Sequence, residues 1–179
     1  MNYHLFQIVN AGAGRSDFVD DFFEWSAVWL IYVLAATAAI PVLTHLRHGR
    51  AALMRVVASL GLTFAVGQAV AALSTEVRPF QTHPVHQLIP HDAGASLPSD
   101  HATAAFAVAF AVGAFLSRRW GVGLSVIATV IGFARVWTGV HYPGDILAGA
   151  LIAAATVATI GVVGRVYDRR TSRRPDTTA

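Results

Sequence analysis

Five long apolar runs without a charged side chain constrain this sequence more than any other feature. They cover residues 28–46, 56–75, 103–117, 120–134 and 146–164. Several reach the roughly 17 to 25 residues that a helix needs to cross a bilayer. With 55% hydrophobic and only 13% charged residues, the composition also departs from that of soluble globular proteins. The sequence therefore predicts an all-α fold, a polytopic membrane helical bundle of about five transmembrane helices.

The third and fourth runs are short, so a buried helical hairpin is the alternative for that pair. Two arginines, Arg118 and Arg119, separate these runs. The basic loops alternate along the chain only if both runs cross the membrane, and this alternation favours two spans.

The arginines predict the orientation of the bundle. All 13 basic residues are arginine. Most lie in alternate loops, at 47, 50, 55, 118, 119, 165, 169, 170, 173 and 174. The positive-inside rule places these loops and the basic tail, 165–179, in the cytoplasm. The N-terminus and the loops at 76–101 and 135–145 are then outside. Because the arginines are dispersed rather than gathered on one face, we expect no nucleic-acid partner.

The residues before the first apolar run predict one or two interfacial helices. Aromatic and aliphatic side chains alternate there with acidic ones at helical spacing, which places residues 1–25 in the outer membrane interface. No cleavable signal pattern opens the chain, so the first span is expected to be retained. We expect one domain over residues 1–179, with a disordered end at 171–179. Cysteine is absent, which excludes disulfides and thiolate metal sites.

Polar clusters lie at three span ends on the predicted outer side. They are "EVRPF" at 76–80, "LPSDHA" at 97–102 and "ARVWTGVHYPGD" at 134–145. Ser99 and Asp100 stand where a helix N-cap belongs, and we favour capping as the role of Asp100. Pro143 and Gly144 likewise open the last apolar run. These two helix N-termini and the guanidiniums of Arg78 and Arg135 together predict a phosphate site. For either arginine alone, snorkelling to lipid phosphate is an equal alternative.

Two histidines and an aspartate add chemistry to this phosphate site. Asp145 follows His141 by four residues and can reach one imidazole nitrogen, which fixes the tautomer and leaves the other nitrogen free to attack. A second histidine, His101, can protonate the leaving oxygen. A single histidine at a membrane edge is more often structural, but the combination of these residues on one rim favours catalysis.

These motifs resemble those of the type 2 phosphatidic acid phosphatase superfamily. Its three patterns are Lys-x6-Arg-Pro, Pro-Ser-Gly-His and Ser-Arg-x5-His-x3-Asp. The sequence has Arg78-Pro79, then Pro98 to His101, then Arg135, His141 and Asp145 at the same spacing. Asp100, "GVHYPGD" and the opening "MNYHLFQIVN" are most similar to the bacterial undecaprenyl-diphosphatase branch associated with bacitracin resistance.

The resemblance implies a role for each matching residue. His141 is implied to be the nucleophile that forms a phosphohistidine, Asp145 to orient it and His101 to be the general acid. The groups implied to hold the transferring phosphoryl group are Arg78, Ser99 and Arg135. Neither a metal nor another cofactor is implied.

The sequence departs from the family pattern at three positions. Ala71 replaces the lysine of the first motif, and Ala134 replaces the serine before Arg135. Asp100 replaces glycine in the second motif, where it is a supporting residue of the site. For the histidines of the 81–95 loop, His83, His86 and His91, we favour solvation or pyrophosphate contact over a metal site. Trp137 and Tyr142 are expected to anchor the protein at the interface.

The resulting functional hypothesis is a bacterial plasma-membrane phosphatase that hydrolyses undecaprenyl diphosphate to undecaprenyl phosphate and inorganic phosphate. Its site faces outward, and its partners are the polyprenyl diphosphate lipid and the bilayer. The product is the carrier lipid of peptidoglycan synthesis. The alternatives are a phosphatase of phosphatidylglycerophosphate or phosphatidate, and a silent lipid-binding or transporter-associated protein. Oligomeric state is left open.

Overall fold

The computed structural model describes residues 2–46 and 49–171, and these fold into helices without a named strand. The helices are α1 (Asn2–Asn10), α2 (Asp17–Val28), α3 (Leu30–His45), α4 (Arg50–Leu73), α5 (Pro79–Thr82), α6 (Asp100–Phe115), α7 (Arg118–Trp137) and α8 (Pro143–Thr171). The expected all-α membrane bundle is confirmed. Arg47, Arg173 and Arg174, and the disordered end expected after residue 171, lie outside the described residues.

Within residues 2–46 and 49–171, three helices are long and apolar enough to cross a membrane, namely α4, α7 and α8. The first expected span, 28–46, corresponds to α3, which meets α2 at a 55° bend, and the two helices together make a fourth candidate. The third expected span corresponds to α6, which has 16 residues; at 1.5 Å each this gives about 24 Å against a hydrocarbon core of about 30 Å.

The short helix α6 is the centre of the bundle. It packs against α3, α4, α7 and α8, and half of its residues are buried, most of them alanines. Small residues allow helix backbones to approach closely in a membrane, where no hydrophobic force drives helices together. At the α6–α7 turn the two backbones are so close that a Cβ on Gly121 would clash with the Cα of Gly113.

The antiparallel helices bring their polar ends to one side of the bundle, which we call the site end. It contains the loop before α6, the N-termini of α6 and α8 and the C-terminus of α7. The N-terminal helix α1 closes it, since Asn10 Nδ2 donates to the carbonyls of His86 and Trp137 at 2.9 and 2.8 Å. The opposite end, which we call the arginine end, holds an ion pair between Arg55 and Asp168.

Candidate active site

The backbone itself joins the three polar clusters at the site end. Ser99 N donates to the Asp145 carbonyl at 3.3 Å, and Ser96 N donates to the Glu76 carbonyl at 2.8 Å. Gly139, with φ +81°, ends α7 in the left-handed conformation that glycine adopts readily. The structure therefore brings together the segments that the sequence placed at one membrane face.

His141 and Asp145 form a buried pair, with 2% and 0% of their surface exposed. His141 Nδ1 lies 3.2 Å from Asp145 Oδ2. The same oxygen accepts hydrogen bonds from Ser96 Oγ at 2.5 Å and from Tyr142 N at 2.8 Å. The carboxylate is thus fixed from three directions. Ser96 is a site residue to which the sequence assigned no role, because no spacing rule connects it with Asp145.

The other nitrogen of His141 faces Arg78. Arg78 Nη1 lies 3.0 Å from His141 Nε2 and 3.3 Å from His91 Nε2. Because a guanidinium can only donate, His141 Nε2 is an acceptor, and its Nδ1 carries the proton that faces Asp145. Burial lowers the pKa of His141 to about 4; the hydrogen bond to Asp145 opposes this shift, and the charges of Arg135 and Arg78 add to it. The imidazole is therefore neutral at physiological pH.

Two further predicted residues, Ser99 and Arg135, are buried beside this pair. They are 0% and 3% exposed, and Arg135 Nη1 donates to the Ala27 carbonyl at 3.3 Å. Ala27 lies in the last turn of α2, where the 55° bend interrupts the helix. Helix ends leave carbonyls without intrahelical donors, so the bend supplies an acceptor for the guanidinium.

Buried polar atoms at the site lack a hydrogen-bond partner within the described part of the chain. They are Arg78 Nε, Ser99 Oγ, Arg135 Nε and Asp145 Oδ1. Such atoms are rare in folded proteins because burying them without a partner costs free energy. Three of the four belong to groups that can donate to a phosphate oxygen. This donor set fits a tetrahedral oxyanion.

The N-terminus of α6 differs from the capping arrangement that we expected. Ser99 is the N-cap residue, but its side chain makes no capping hydrogen bond, and Asp100 is the first helical residue. Asp100 is exposed and attracts Arg78 and Arg135 electrostatically. The expectation that Asp100 caps the helix is therefore wrong, because Ser99 occupies the N-cap position and no side chain caps α6 by a hydrogen bond.

His101 follows Asp100 and is half-buried. It is close enough to Arg135, His91 and Arg78 to interact with them electrostatically. The backbone N–H groups at the start of α6 precede the first intrahelical donor, Thr103, which donates to the Ser99 carbonyl. They therefore remain available to an anion.

The second predicted helix N-terminus is already occupied. Gly144 N donates to Asn2 Oδ1 at 2.8 Å, and Asn2 Nδ2 donates to Glu76 Oε1 at 3.1 Å. Pro143 has no N–H, and Asp145 N donates to the Tyr142 carbonyl. The start of α8 thus has fewer free N–H donors for an anion than the sequence indicated. The reason is that Asn2 in α1, which is far away in sequence, accepts the hydrogen bond of Gly144 N.

The histidines of the 81–95 loop separate into different roles. His83 stacks on Tyr3 with ring centroids 3.8 Å apart, and His86 is exposed. Only His91 of these three contacts Arg78. Among residues 2–46 and 49–171, no group of three or more histidine, cysteine, aspartate or glutamate side chains could hold a metal ion.

Both aromatic residues expected at the interface make contacts inside the protein. Tyr142 is 5% exposed and packs edge-on against Phe6, so its anchoring role is wrong. Trp137 donates from Nε1 to Asp20 Oδ1 at 2.8 Å. Ala134, which replaces the serine of the family motif, is fully buried in an apolar cluster with Ala27, Ile89 and Val140.

Known proteins are similar to this chain in sequence and in fold. The crystal structure of Aquifex aeolicus LpxE superimposes with a TM-score of 0.72 at 22% identity, covering 89% of this chain and 93% of that one. The chain is 29% identical over 153 residues to the "Bacitracin transport permease protein BcrC" of Bacillus licheniformis, covering 85% of this chain and 75% of the relative.

A third similarity is stronger in sequence. The chain is 34% identical over 157 residues to the "Undecaprenyl-diphosphatase BcrC" of Bacillus subtilis (strain 168), covering 86% of this chain and 79% of the relative. The PAP2 superfamily profile matches residues 52–169, a range that includes all three polar clusters. On this evidence of sequence and fold, the chain belongs to the PAP2 superfamily.

Proposed function

We propose that this protein is a membrane lipid phosphatase that hydrolyses undecaprenyl diphosphate to undecaprenyl phosphate and inorganic phosphate. One observation carries the proposal: a neutral, oriented His141 imidazole lies among three buried donors, Arg78 Nε, Ser99 Oγ and Arg135 Nε, that have no partner within the described residues. The substrate is supported by the similarity to an undecaprenyl-diphosphatase over 86% of the chain.

In the first half-reaction, His141 Nε2 attacks the terminal phosphorus of the diphosphate. A nitrogen–phosphorus bond forms, and the bond from that phosphorus to the bridging oxygen breaks. The electron pair passes to the bridging oxygen, to which His101 donates a proton as undecaprenyl phosphate leaves. Asp145 holds the Nδ1 proton and stabilises the positive charge that develops on the imidazole.

In the second half-reaction, water attacks the phosphohistidine. His101, now neutral, accepts a proton from the water, the nitrogen–phosphorus bond breaks, and inorganic phosphate leaves with His141 restored. The donors of Arg78, Ser99 and Arg135 stabilise the charge on the transferring phosphoryl oxygens in both steps. The two guanidiniums supply the positive charge in this scheme, so that it requires no metal or cofactor.

The proposed topology places the site end at the outer face of a bacterial plasma membrane and the C-terminus in the cytoplasm. The support is the alternation of arginine loops, since Arg50, Arg55, Arg118 and Arg119 lie at the ends of α4 and α7 remote from the site. The whole chain is then one domain, 1–179, that recycles the carrier lipid for cell-wall synthesis and so bears on bacitracin resistance.

Two alternatives have their own support. Ala71 and Ala134 replace the lysine and serine of the family motifs, and one relative is named as a transport permease, which both favour a silent lipid-binding or transporter-associated protein. The same chemistry on phosphatidylglycerophosphate or phosphatidate is the other alternative, because groups that bind phosphate would bind the phosphate that all of these lipids carry.

The test is phosphate release from detergent-solubilised protein supplied with undecaprenyl diphosphate and excess chelator. We expect release by the wild type, none by His141→Ala, and ordinary release by His86→Ala, which changes an exposed loop histidine. Substrate labelled in the terminal phosphate should leave acid-labile label on His141.

Each alternative gives a different result in this assay. Faster phosphate release from phosphatidylglycerophosphate or phosphatidate would show that one of these lipids is the substrate, while the proposed chemistry would stand. Absence of both release and label from folded wild type would overturn the phosphatase proposal in favour of binding.

A further inference from the structure

One arginine is shared by two histidines at the site. Arg78 Nη1 lies 3.0 Å from His141 Nε2 and 3.3 Å from His91 Nε2. The two rings stand edge to face with centroids 6.0 Å apart. A guanidinium Nη atom carries two hydrogens, so both of them are directed at imidazole nitrogens.

The neighbours of His91 determine its tautomer. Its Nδ1 lies 3.2 Å from the carbonyl oxygen of Asp92. A carbonyl can only accept, so Nδ1 carries the proton and Nε2 offers its lone pair to Arg78. Burial, and then the charges of Arg78 and Arg135, lower the pKa of His91 and favour this neutral form. His91 therefore acts as an acceptor for Arg78.

The contact between Arg78 and His141 conflicts with the proposed attack. The Nε2 lone pair of His141 must point at phosphorus, but it accepts a hydrogen bond from Arg78 in this structure. Arg78 Nε meanwhile is buried without a partner among the described residues. Binding of phosphate thus requires Arg78 to release His141 and to direct its free N–H groups at the phosphate oxygens, while remaining in the site.

We propose that His91 is the positioning residue that keeps Arg78 in the site when the phosphate replaces this arginine at His141. One Nη1 hydrogen stays on His91 Nε2, and the rest of the guanidinium turns towards the phosphate. The inference rests on the proposed function and deepens it, because it assigns to the 81–95 loop a residue that acts through Arg78.

Two substitutions separate this role from a structural one. In His91→Gln, the amide can place an acceptor at the position of Nε2, whereas His91→Asn can reach only the position of Nδ1, towards the Asp92 carbonyl. We expect His91→Gln to retain kcat/KM within about threefold and His91→Asn to lose about tenfold or more, the scale of a hydrogen bond to a charged group. The control His86→Asn should match wild type.

A double-mutant cycle tests whether His91 acts through Arg78. In the Arg78→Ala background, His91→Asn should cause no further loss, because its partner is already absent. Retention of activity by His91→Asn with loss in His91→Gln would instead show that His91 only shapes the loop. Independent, multiplicative losses in the double variant would likewise overturn the inference.

A binding experiment without the lipid tests the role of His91 independently of the proposed function. The same variants are titrated with orthovanadate, which takes the geometry of a transferring phosphoryl group, and binding is followed by calorimetry. If wild type does not hydrolyse undecaprenyl diphosphate but His91→Gln binds vanadate like wild type and His91→Asn binds it at least tenfold more weakly, the proposed lipid is wrong and the role of His91 stands. Equal binding by both variants would overturn that role.

Discussion

The two ends of the α6–α7 pair are built from opposite kinds of contact. At the site end, charged and polar side chains are buried, and four of the six buried side-chain atoms without a partner in the described residues belong to the site. Where α6 turns into α7, glycines pack backbone against backbone, with Gly113 against Gly121. The buried polar groups at the site end lower stability but leave donors free for a ligand. The glycine contact allows close helix packing and leaves no space for a larger side chain.

This contrast indicates that activity and stability depend on different ends of one short helix. The α6 helix begins at Asp100, next to Ser99, and ends at Phe115, near the glycine contact. A rigid hairpin at one end fixes the position of the other. Substitutions at the site end should therefore reduce catalysis more than folding, and substitutions at the hairpin should do the reverse.

The largest expected effect is at His141. His141→Asn removes the proposed nucleophile while leaving a smaller polar side chain, so we expect phosphate release to fall by more than about 10³-fold. The protein should still elute from size-exclusion chromatography as wild type does. Unfolding of this variant at the growth temperature would contradict the contrast between the two ends, because it would show that the site end also stabilises the fold.

A smaller loss of activity is expected from Ser96→Ala. Ser96 Oγ donates to the carboxylate that orients His141, and loss of such an outer partner costs about 10-fold to 100-fold at comparable metal sites. Ser96→Thr keeps a hydroxyl and should recover part of the activity. Equal losses in both variants would show that packing around Ser96 matters rather than its hydrogen bond. The assay is initial-rate kinetics of phosphate release.

The hairpin gives a matched pair of glycine substitutions. In Gly121→Ala the new Cβ would clash with the Gly113 backbone, whereas a Cβ at Gly123 meets nothing within 4 Å. We expect Gly121→Ala to destabilise the protein by about 1–3 kcal/mol through overpacking. Gly123→Ala should be neutral or slightly stabilising, since alanine favours a helix.

Thermal unfolding in detergent measures both variants, together with phosphate release per folded molecule. Release should be unchanged in each. Identical melting temperatures for Gly121→Ala and Gly123→Ala would contradict the close approach of α6 and α7.

The smallest effect is expected from the ion pair at the arginine end. Arg55 and Asp168 have side chains that are 29% and 57% exposed, and pairs of this kind contribute about 0–1 kcal/mol because water screens them. Arg55→Gln should leave activity unchanged and lower the melting temperature by a few degrees at most. A large drop that Asp168→Asn reproduces would show that this end is stabilised by charge as well as by glycine packing.

Much of this architecture could be read from the sequence because it follows from local patterns. The lengths of the apolar runs predicted the helices. The alternation of arginine-containing loops predicted that the three polar clusters lie on the same side of the membrane. His141 and Asp145 are four residues apart and flank the start of α8, and this spacing predicted their contact. The bend between α2 and α3 falls near the boundary between the expected interfacial helices, 1–25, and the first apolar run, 28–46, but no proline or glycine there predicted its 55° angle.

The partners of the site residues could not be read in this way. Ser96 meets Asp145 across 49 residues, and Arg78 meets His141 across 63. The 81–95 loop has no periodicity that would distinguish His91 from His83 and His86. Asn2, the second residue of the chain, takes the N–H group of Gly144 that the local sequence assigned to a ligand.

The sequence by itself determined that the chain forms membrane helices and that His101, His141, Arg78, Arg135 and Asp145 gather at one end, because hydrophobic length and charge alternation act locally along the chain. Only the tertiary structure decided which of these groups form hydrogen bonds with one another and which remain free for a ligand. Hydrogen bonds of buried groups depend on distances between segments that are far apart in sequence, and the packing of α1, α6 and α8 sets those distances.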